Sequence, residues 1–142
     1  MIIWLASYPK NGNTWLRSLI SAYYYTKDGF FLGDKHLKNI PQFPVKKYFE
    51  DFKYDLSLPG DTSRFWVASQ EKINRDKKIK FFKTHNIYGS LNNTDFSNKY
   101  NSIGAVYIVR DPRNVITSLT HHYDLSYEEA YTHMIDENSS LL

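Results

Sequence analysis

The fold of this chain is decided by residues 2–17, which read Ile2-Ile3-Trp4-Leu5-Ala6-Ser7-Tyr8-Pro9-Lys10-Asn11-Gly12-Asn13-Thr14-Trp15-Leu16-Arg17. The apolar run at 2–6 is typical of a buried strand. Residues 8–13 contain the turn residues Pro, Asn and Gly. From Thr14 onward, apolar residues recur at helical spacing. The stretch therefore predicts a strand, a tight loop and a helix.

A strand, loop and helix in this order can bind an anion. The start of a helix offers unpaired N–H groups and the positive end of its dipole. Gly12 would let the backbone approach an anion closely, Lys10 adds a positive charge, and Thr14 adds a hydroxyl donor. The alternative is a structural turn beside an exposed lysine. We favour a phosphate-binding loop, because several phosphate-binding groups fall within five residues.

Two further strands are predicted, and each is followed by residues that suit a binding site. Residues 79–83 precede Thr84 and His85, and residues 104–109 precede Arg110. Ligands of open α/β sheets bind at the carboxyl ends of the strands. If the strands are parallel neighbours, as right-handed crossovers favour, three cations face one crevice. These cations are Lys10, Lys83 and Arg110.

Four more helices are predicted from spacing and capping residues. Residues 44–52 are typical of an amphipathic helix, because their apolar side chains follow the i, i+3, i+4, i+7 spacing. A turn at 58–60 precedes the next helix. Asp111 and Pro112 suit the start of a helix after the third strand. Residues 126–129 match a capping box that begins the last helix.

The composition limits the class of protein. The chain has 142 residues, 42% of them apolar, and a net charge of +3 from 18 basic and 15 acidic residues. This mild charge does not predict a nucleic-acid partner. The chain has no cysteine, which excludes disulfides and cysteine-based metal sites. His121 and His122 are adjacent, so their side chains would diverge on a helix and are not expected to bind one metal ion. Because no signal peptide or membrane span is evident, we expect a cytoplasmic protein; the sequence does not indicate its oligomeric state.

Three motifs resemble those of the sulfotransferases that use 3′-phosphoadenosine 5′-phosphosulfate (PAPS). Residues 8–15 are similar to the 5′-phosphosulfate loop Tyr-Pro-Lys-Ser-Gly-Thr/Asn-Thr-Trp, with Asn11 in place of the usual serine. Lys83-Thr84-His85 matches a second motif of that family. Arg110-x-Pro-x-x-Val-x-x-Ser118 resembles its 3′-phosphate motif. The motifs occur in the family order and cover most of the chain.

The resemblance implies an α/β fold, a three-layer sandwich with a mostly parallel central sheet like that of P-loop NTPases. Residues 1–142 would be a single sulfotransferase domain, shortened at its C-terminus relative to the family. The implied reaction transfers a sulfuryl group from PAPS to a hydroxyl or amine of a small-molecule or glycan acceptor. Adenosine 3′,5′-bisphosphate is released, and no metal is needed.

The resemblance also implies roles for individual residues. His85 would be the general base, Lys10 would neutralise the leaving phosphate, and Lys83 would assist the sulfuryl group. The residues that would bind the cofactor are Lys10, Asn11, Gly12, Asn13, Thr14, Trp15, Arg110 and Ser118.

Two other functions stay open at this point. One is a P-loop kinase or NTPase, although the lysine of a Walker A loop follows the last glycine and Lys10 precedes Gly12. The other is a non-catalytic nucleotide-binding remnant of the sulfotransferase fold.

The acceptor is not identified by the sequence. The long polar loop at 86–102 is a candidate for shaping its pocket. Four aromatic residues either line a pocket for an apolar alcohol or belong to the core. They are Tyr48, Phe49, Phe65 and Trp66.

Overall fold

The structure is a computed structural model and describes residues 1–55, 57–58 and 60–136. Its strands are β1 (Ile2–Ser7), β2 (Lys80–Thr84), β3 (Ser90–Leu91), β4 (Thr94–Asp95) and β5 (Ser102–Ile108). Its α-helices are α1 (Asn13–Tyr25), α2 (Asp34–Leu37), α3 (Trp66–Ile73), α4 (Pro112–Tyr123) and α5 (Tyr127–Ile135). Short 3₁₀ turns lie at Lys46–Tyr48, Asp61–Phe65 and Asn74–Asp76.

Strands β2, β1 and β5 form a parallel sheet in that order. In this register Ala6 of β1 lies opposite Thr84 on one side and Tyr107 on the other. The carboxyl ends of the three strands therefore meet at one edge, as the sequence predicted. Strands β3 and β4 form a small antiparallel hairpin within the loop that follows β2.

Both faces of the sheet are covered where β1 and β2 run together. On one face the ring of Tyr24, from α1, lies 5.2 Å from the ring of Phe81. On the other face Trp4 packs with Phe96, which in turn contacts Trp66 of α3. The α/β class with a parallel central sheet is confirmed.

An aromatic cluster forms the core on this second face. Phe43 lies at its centre, with ring centroids 5.7 Å from Trp4 and 5.7 Å from Phe49. The buried members are Ile2, Trp4, Phe43, Phe49, Trp66, Phe82 and Phe96. Burial of this many aromatic rings makes the cluster the main hydrophobic contribution to stability.

The prediction of an amphipathic helix at 44–52 is wrong. Only the 3₁₀ turn Lys46–Tyr48 forms there. The preceding backbone is held extended against β2, because the Phe43 N–H donates to the Lys83 carbonyl at 2.9 Å. Phe49 is nevertheless buried, and Tyr48 packs against the core. The apolar spacing thus reflected contacts with the core and not a helix.

The predicted helix starts at the C-terminal side of the chain are confirmed. The Asp111 side chain accepts a hydrogen bond from the Arg113 N–H and caps α4. Ser126 and Glu129 form the capping box of α5. The turn predicted at 58–60 includes Pro59, which lies outside the described residues.

Replacing Phe43 should strongly destabilise the fold. Phe43→Ala leaves a cavity at the centre of the aromatic cluster, which typically costs about 3–5 kcal/mol. Chemical denaturation monitored by circular dichroism measures the loss. Phe30→Ala is the matched control, because Phe43 is 0% exposed and Phe30 is 69% exposed. Equal effects of the two substitutions would contradict this assignment of the core.

Candidate functional site

The loop between β1 and α1 has an unusual backbone conformation. Lys10 and Gly12 both have positive φ, of 65° and 93°, and Gly12 is the N-cap of α1. The N–H groups at the start of α1, at 13–15, find no hydrogen-bond partner among the residues that the structure describes. Unpaired N–H groups at a helix start are suited to binding an anion.

The two asparagine side chains of this loop hold it against the sheet. Asn11 donates from Nδ2 to the carbonyl of Ile108 at 3.3 Å. Asn13 is buried and donates from Nδ2 to the Leu5 carbonyl at 2.8 Å and to Ser7 Oγ at 3.1 Å. The Asn11 N–H is also engaged, since it donates to the Tyr8 carbonyl at 3.3 Å, so of these two residues Asn13 is the one whose backbone N–H is left for an anion.

Basic side chains surround the loop. Arg110, just beyond β5, donates from Nη1 to the carbonyl of Lys10 at 3.2 Å. Lys83 of β2 is half-buried, and burial lowers its pKa, as do the positive charges of Arg17 and Lys10. A buried cation among other cations is a poor arrangement by itself, and an anion placed among them would relieve the repulsion.

These groups line a cavity of about 730 Å³. Ser118, two turns into α4, also lines it. No aspartate or glutamate is found among the described lining residues, so the cavity is positively charged. The lining residues are Pro9, Lys10, Gly12, Asn13, Thr14, Trp15, Gln42, Pro44, Lys83, His85, Asn86, Arg110, Ser118, His122 and Tyr123. We call it the cationic cavity.

His85 follows β2 and is fixed by the end of β1. Its Nδ1 lies 2.8 Å from the Ser7 carbonyl oxygen. Because a carbonyl only accepts, Nδ1 carries the proton and Nε2 is left as the basic nitrogen. Burial lowers the pKa of His85, and the charges of Lys83 and Arg17 lower it further, against the opposing effect of the Ser7 hydrogen bond. The lowered pKa favours the neutral imidazole, the form that can accept a proton.

A second cavity, of about 350 Å³, adjoins His85. Its described lining is largely aromatic or aliphatic, and we call it the apolar cavity. The lining residues are Trp4, Ala6, Ser7, Tyr8, Thr84, His85, Asn86, Ile87, Tyr88, Phe96, Ala105 and Tyr107. His85 and Asn86 line both cavities, so a proton acceptor stands between a cationic and an apolar space.

The site residues proposed from the sequence line the cationic cavity with the exception of Asn11, whose side chain bonds to the Ile108 carbonyl; the cavity also has other lining residues. Gln42, His122 and Tyr123 also line the cationic cavity, and the sequence did not predict them as site residues. His122 lies one helical turn after Ser118, so helical spacing was an available signal. Of the four aromatic residues left ambiguous, Phe49 and Trp66 are buried core, and Tyr48 and Phe65 pack against it.

Comparison with known proteins agrees with this geometry. The family model of the sulfotransferase domain matches residues 2–140. This chain belongs to the sulfotransferase family. Luciferin sulfotransferase from Photinus pyralis is similar to it, with 30% identity over 120 residues. The match covers 83% of this chain and 32% of the relative, so the sulfotransferase chain described here spans about a third of that relative's length. No solved structure matches it significantly.

The described residues hold neither a cluster of metal ligands nor a membrane-spanning helix. They contain no group of three or more His, Asp or Glu side chains that could hold a metal ion. None of the described helices is long and apolar enough to cross a membrane.

Lys83→Met should raise the pKa of His85, because it removes a positive charge that disfavours the imidazolium and keeps a side chain of similar length. Titration of the His85 imidazole by NMR measures the change. In the unaltered chain we expect a midpoint below the ordinary value of about 6.5, since burial lowers the pKa of His85. Lys99→Met, at an exposed lysine outside both cavities, should leave it unchanged. A midpoint that Lys83→Met does not move would show that this charge does not reach the imidazole.

Proposed function

We propose that this sulfotransferase transfers a sulfuryl group from PAPS to a hydroxyl of a small-molecule acceptor, without a metal and with His85 as the general base. The observation that carries the proposal is the position of His85 between the cationic and the apolar cavity. Similarity to a luciferin sulfotransferase, named for transfer to a small molecule, supports it. The residues proposed to act on the reacting groups are His85, Lys10 and Lys83.

The positive charge of the cationic cavity supports PAPS as its ligand, because PAPS carries phosphates on the 3′ and 5′ oxygens of its ribose and supplies the activated sulfuryl group. Lys10 and the N–H groups that open α1 would bind the 5′-phosphate. Arg110 and Ser118 would bind the 3′-phosphate. Trp15 is exposed at the helix start, where its ring is available to stack on the base.

His85 would remove the proton of the acceptor hydroxyl through Nε2. The Ser7 carbonyl, bonded to Nδ1–H, holds the tautomer that makes this possible and stabilises the imidazolium that forms. Lys83 and Lys10 would neutralise charge as it moves toward the leaving phosphate. The catalysis is thus positioning, proton removal and electrostatic stabilisation by this chain's own side chains.

The absence of carboxylates from the described lining favours a PAPS site over a magnesium nucleotide site. Mg²⁺ in nucleotide sites is held through carboxylates and phosphates, whereas the cationic cavity offers lysine, arginine and amide groups. Tighter binding of Mg²⁺–ATP than of PAPS would overturn the proposal in favour of a kinase or NTPase.

Two further expectations from the sequence stay predictions. Residues 1–142 are proposed to belong to one sulfotransferase domain, and the location of the protein is proposed to be cytoplasmic.

Adenosine 3′,5′-bisphosphate should stabilise the protein more than 5′-AMP does, because only the former carries the 3′-phosphate. At about 100 times its Kd a ligand of the native state contributes about 2.7 kcal/mol, which thermal unfolding detects as a rise in Tm. Lys10→Ala and Arg110→Ala should each reduce the rise. Matched controls are Lys27→Ala and Arg75→Ala, which lie outside both cavities. Equal shifts with both nucleotides would contradict a 3′-phosphate site.

His85→Gln should lower kcat by about 10²–10⁴ and leave adenosine 3′,5′-bisphosphate binding unchanged. Transfer from radiolabelled PAPS to phenol, 2-naphthol and N-acetylglucosamine is the assay. Since His85 must be neutral to act and its pKa is lowered, activity should be flat above pH 7 and fall only below about pH 6.5. His121→Gln is the control, at an exposed histidine outside both cavities. Transfer to any of the three acceptors would eliminate the non-catalytic remnant.

A further inference from the structure

We propose that Asn13 is a positioning residue for the general base: its buried side chain holds Ser7 so that Ser7 keeps Nε2 of His85 free to accept a proton. The inference rests on the proposed function, because it concerns the base of that same site. It is carried by the contacts that join the start of α1 to the end of β1 and to His85.

His85 has two oxygen neighbours on Ser7. Its Nδ1 lies 2.8 Å from the carbonyl oxygen and 3.3 Å from the hydroxyl oxygen Oγ. The carbonyl can only accept, so it favours a proton on Nδ1 and leaves Nε2 basic. A hydroxyl that donates to Nδ1 would favour the other tautomer, with the proton on Nε2. The tautomer of His85 therefore depends on how the Ser7 hydroxyl is held.

The Ser7 hydroxyl is held by Asn13. The Asn13 amide donates from Nδ2 to Ser7 Oγ at 3.1 Å and to the Leu5 carbonyl at 2.8 Å. Ser7 is 3% exposed and Asn13 is 4% exposed, so both bonds are shielded from water. Because the amide has two protons and each binds an oxygen of β1, the Asn13 side chain fixes the position of Ser7 Oγ.

Loss of the Asn13 amide would turn the Ser7 hydroxyl toward His85. Among the described residues, Asn13 and His85 are the partners within hydrogen-bonding distance of Ser7 Oγ. A buried hydroxyl without a partner is unfavourable, so removal of the amide favours donation from Ser7 Oγ to Nδ1. That bond stabilises the tautomer with Nε2 protonated, which cannot take the proton of an acceptor hydroxyl. Asn13 thus acts on the base through Ser7.

Stability alone does not explain the asparagine. Its Oδ1 is buried and has no hydrogen-bond partner among the described residues, which is unfavourable. A threonine at this position would leave no such oxygen. Its hydroxyl, however, is one bond closer to the backbone and has a single proton, so it could not donate to both Leu5 and Ser7. The position of Ser7 is therefore the better explanation of Asn13.

Asn13 also belongs to the proposed anion site through its backbone. The Asn13 N–H has no partner among the described residues and would face the 5′-phosphate. A change of the side chain leaves this N–H in place. Nucleotide affinity therefore reports on the backbone of Asn13, and the state of the His85 imidazole reports on its side chain.

The first test measures the tautomer by NMR on the whole chain with isotopically labelled histidine. The nitrogen shifts of the neutral imidazole show which nitrogen is protonated. The unaltered chain should have the proton of His85 on Nδ1, and Asn13→Ala should move part of the population to Nε2. Asn13→Thr, too short to reach Ser7 Oγ, should act in the same direction and serves if Asn13→Ala does not fold. Asn11→Ala is the matched control for the tautomer, because Asn11 Nδ2 donates to the Ile108 carbonyl instead.

The second test is a double-mutant cycle through Ser7. Asn13→Ala should lower kcat about tenfold for the acceptor that the unaltered chain sulfates fastest, with adenosine 3′,5′-bisphosphate affinity unchanged within about threefold. With Ser7→Ala already present, the hydroxyl is absent and the carbonyl remains, so Asn13→Ala should then lower kcat less than about twofold. Asn101→Ala controls for lost stability, at an asparagine that is 2% exposed and outside both cavities, and should keep kcat.

The outcomes separate the inference from the proposed function. A tautomer shift in Asn13→Ala, with a kcat loss that disappears when Ser7→Ala is present, would support the inference. It would be overturned by Nε2 protonated in the unaltered chain, by a tautomer or kcat that Asn13→Ala leaves unchanged, or by equal kcat losses with and without Ser7→Ala. Transfer by the unaltered chain would in those cases keep the proposed function intact. A tautomer shift in a chain that neither binds the nucleotide nor transfers sulfate would overturn the proposed function and, with it, the role of Asn13 in catalysis.

Discussion

The hydrogen bond from His85 Nδ1 to the Ser7 carbonyl is the contact on which the site depends. It joins the ends of two neighbouring strands, so it exists only because β1 and β2 are parallel and in the register that pairs Ala6 with Thr84. The bond fixes the tautomer of His85 and orients its ring. Asn13 supports it by donating to Ser7 Oγ from the first turn of α1. One network therefore couples the loop, the sheet and the proposed base.

The electrostatics of the cationic cavity follow from the same sheet edge. Each of the three parallel strands delivers a basic residue there, and Lys83 is half-buried, so water screens its charge less than that of the exposed Arg110. Burial lowers the pKa of Lys83, and the positive charges of Arg17 and Lys10 lower it further. The arrangement is unfavourable for stability and suited to a ligand with several negative charges, a balance often found at functional sites. Asn11, unusual for the family loop, uses its side chain to tie the loop to Ile108.

The two cavities differ because different parts of the chain build them. The cationic cavity is made mainly by the β1–α1 loop, the end of β2 and the face of α4. The apolar cavity lies against the sheet face that also carries the aromatic core, and the segment after His85 forms its rim. Since His85 and Asn86 line both cavities, a ligand in either cavity would contact this boundary.

The sequence by itself determined the features that depend on neighbouring residues. It predicted the strand, loop and helix of 2–17, the caps at Asp111 and Ser126, and the basic residues at the strand ends, because spacing and capping are local. It could not determine which apolar residues face the core or a cavity, since periodicity does not say what lies opposite. Only the tertiary structure showed that 41–43 are extended and pair with β2. The helix predicted at 44–52 from apolar spacing does not form after this segment. Likewise, only the register of β1 with β5 placed Tyr107 beside Ala6, about a hundred positions apart, and so created the apolar cavity.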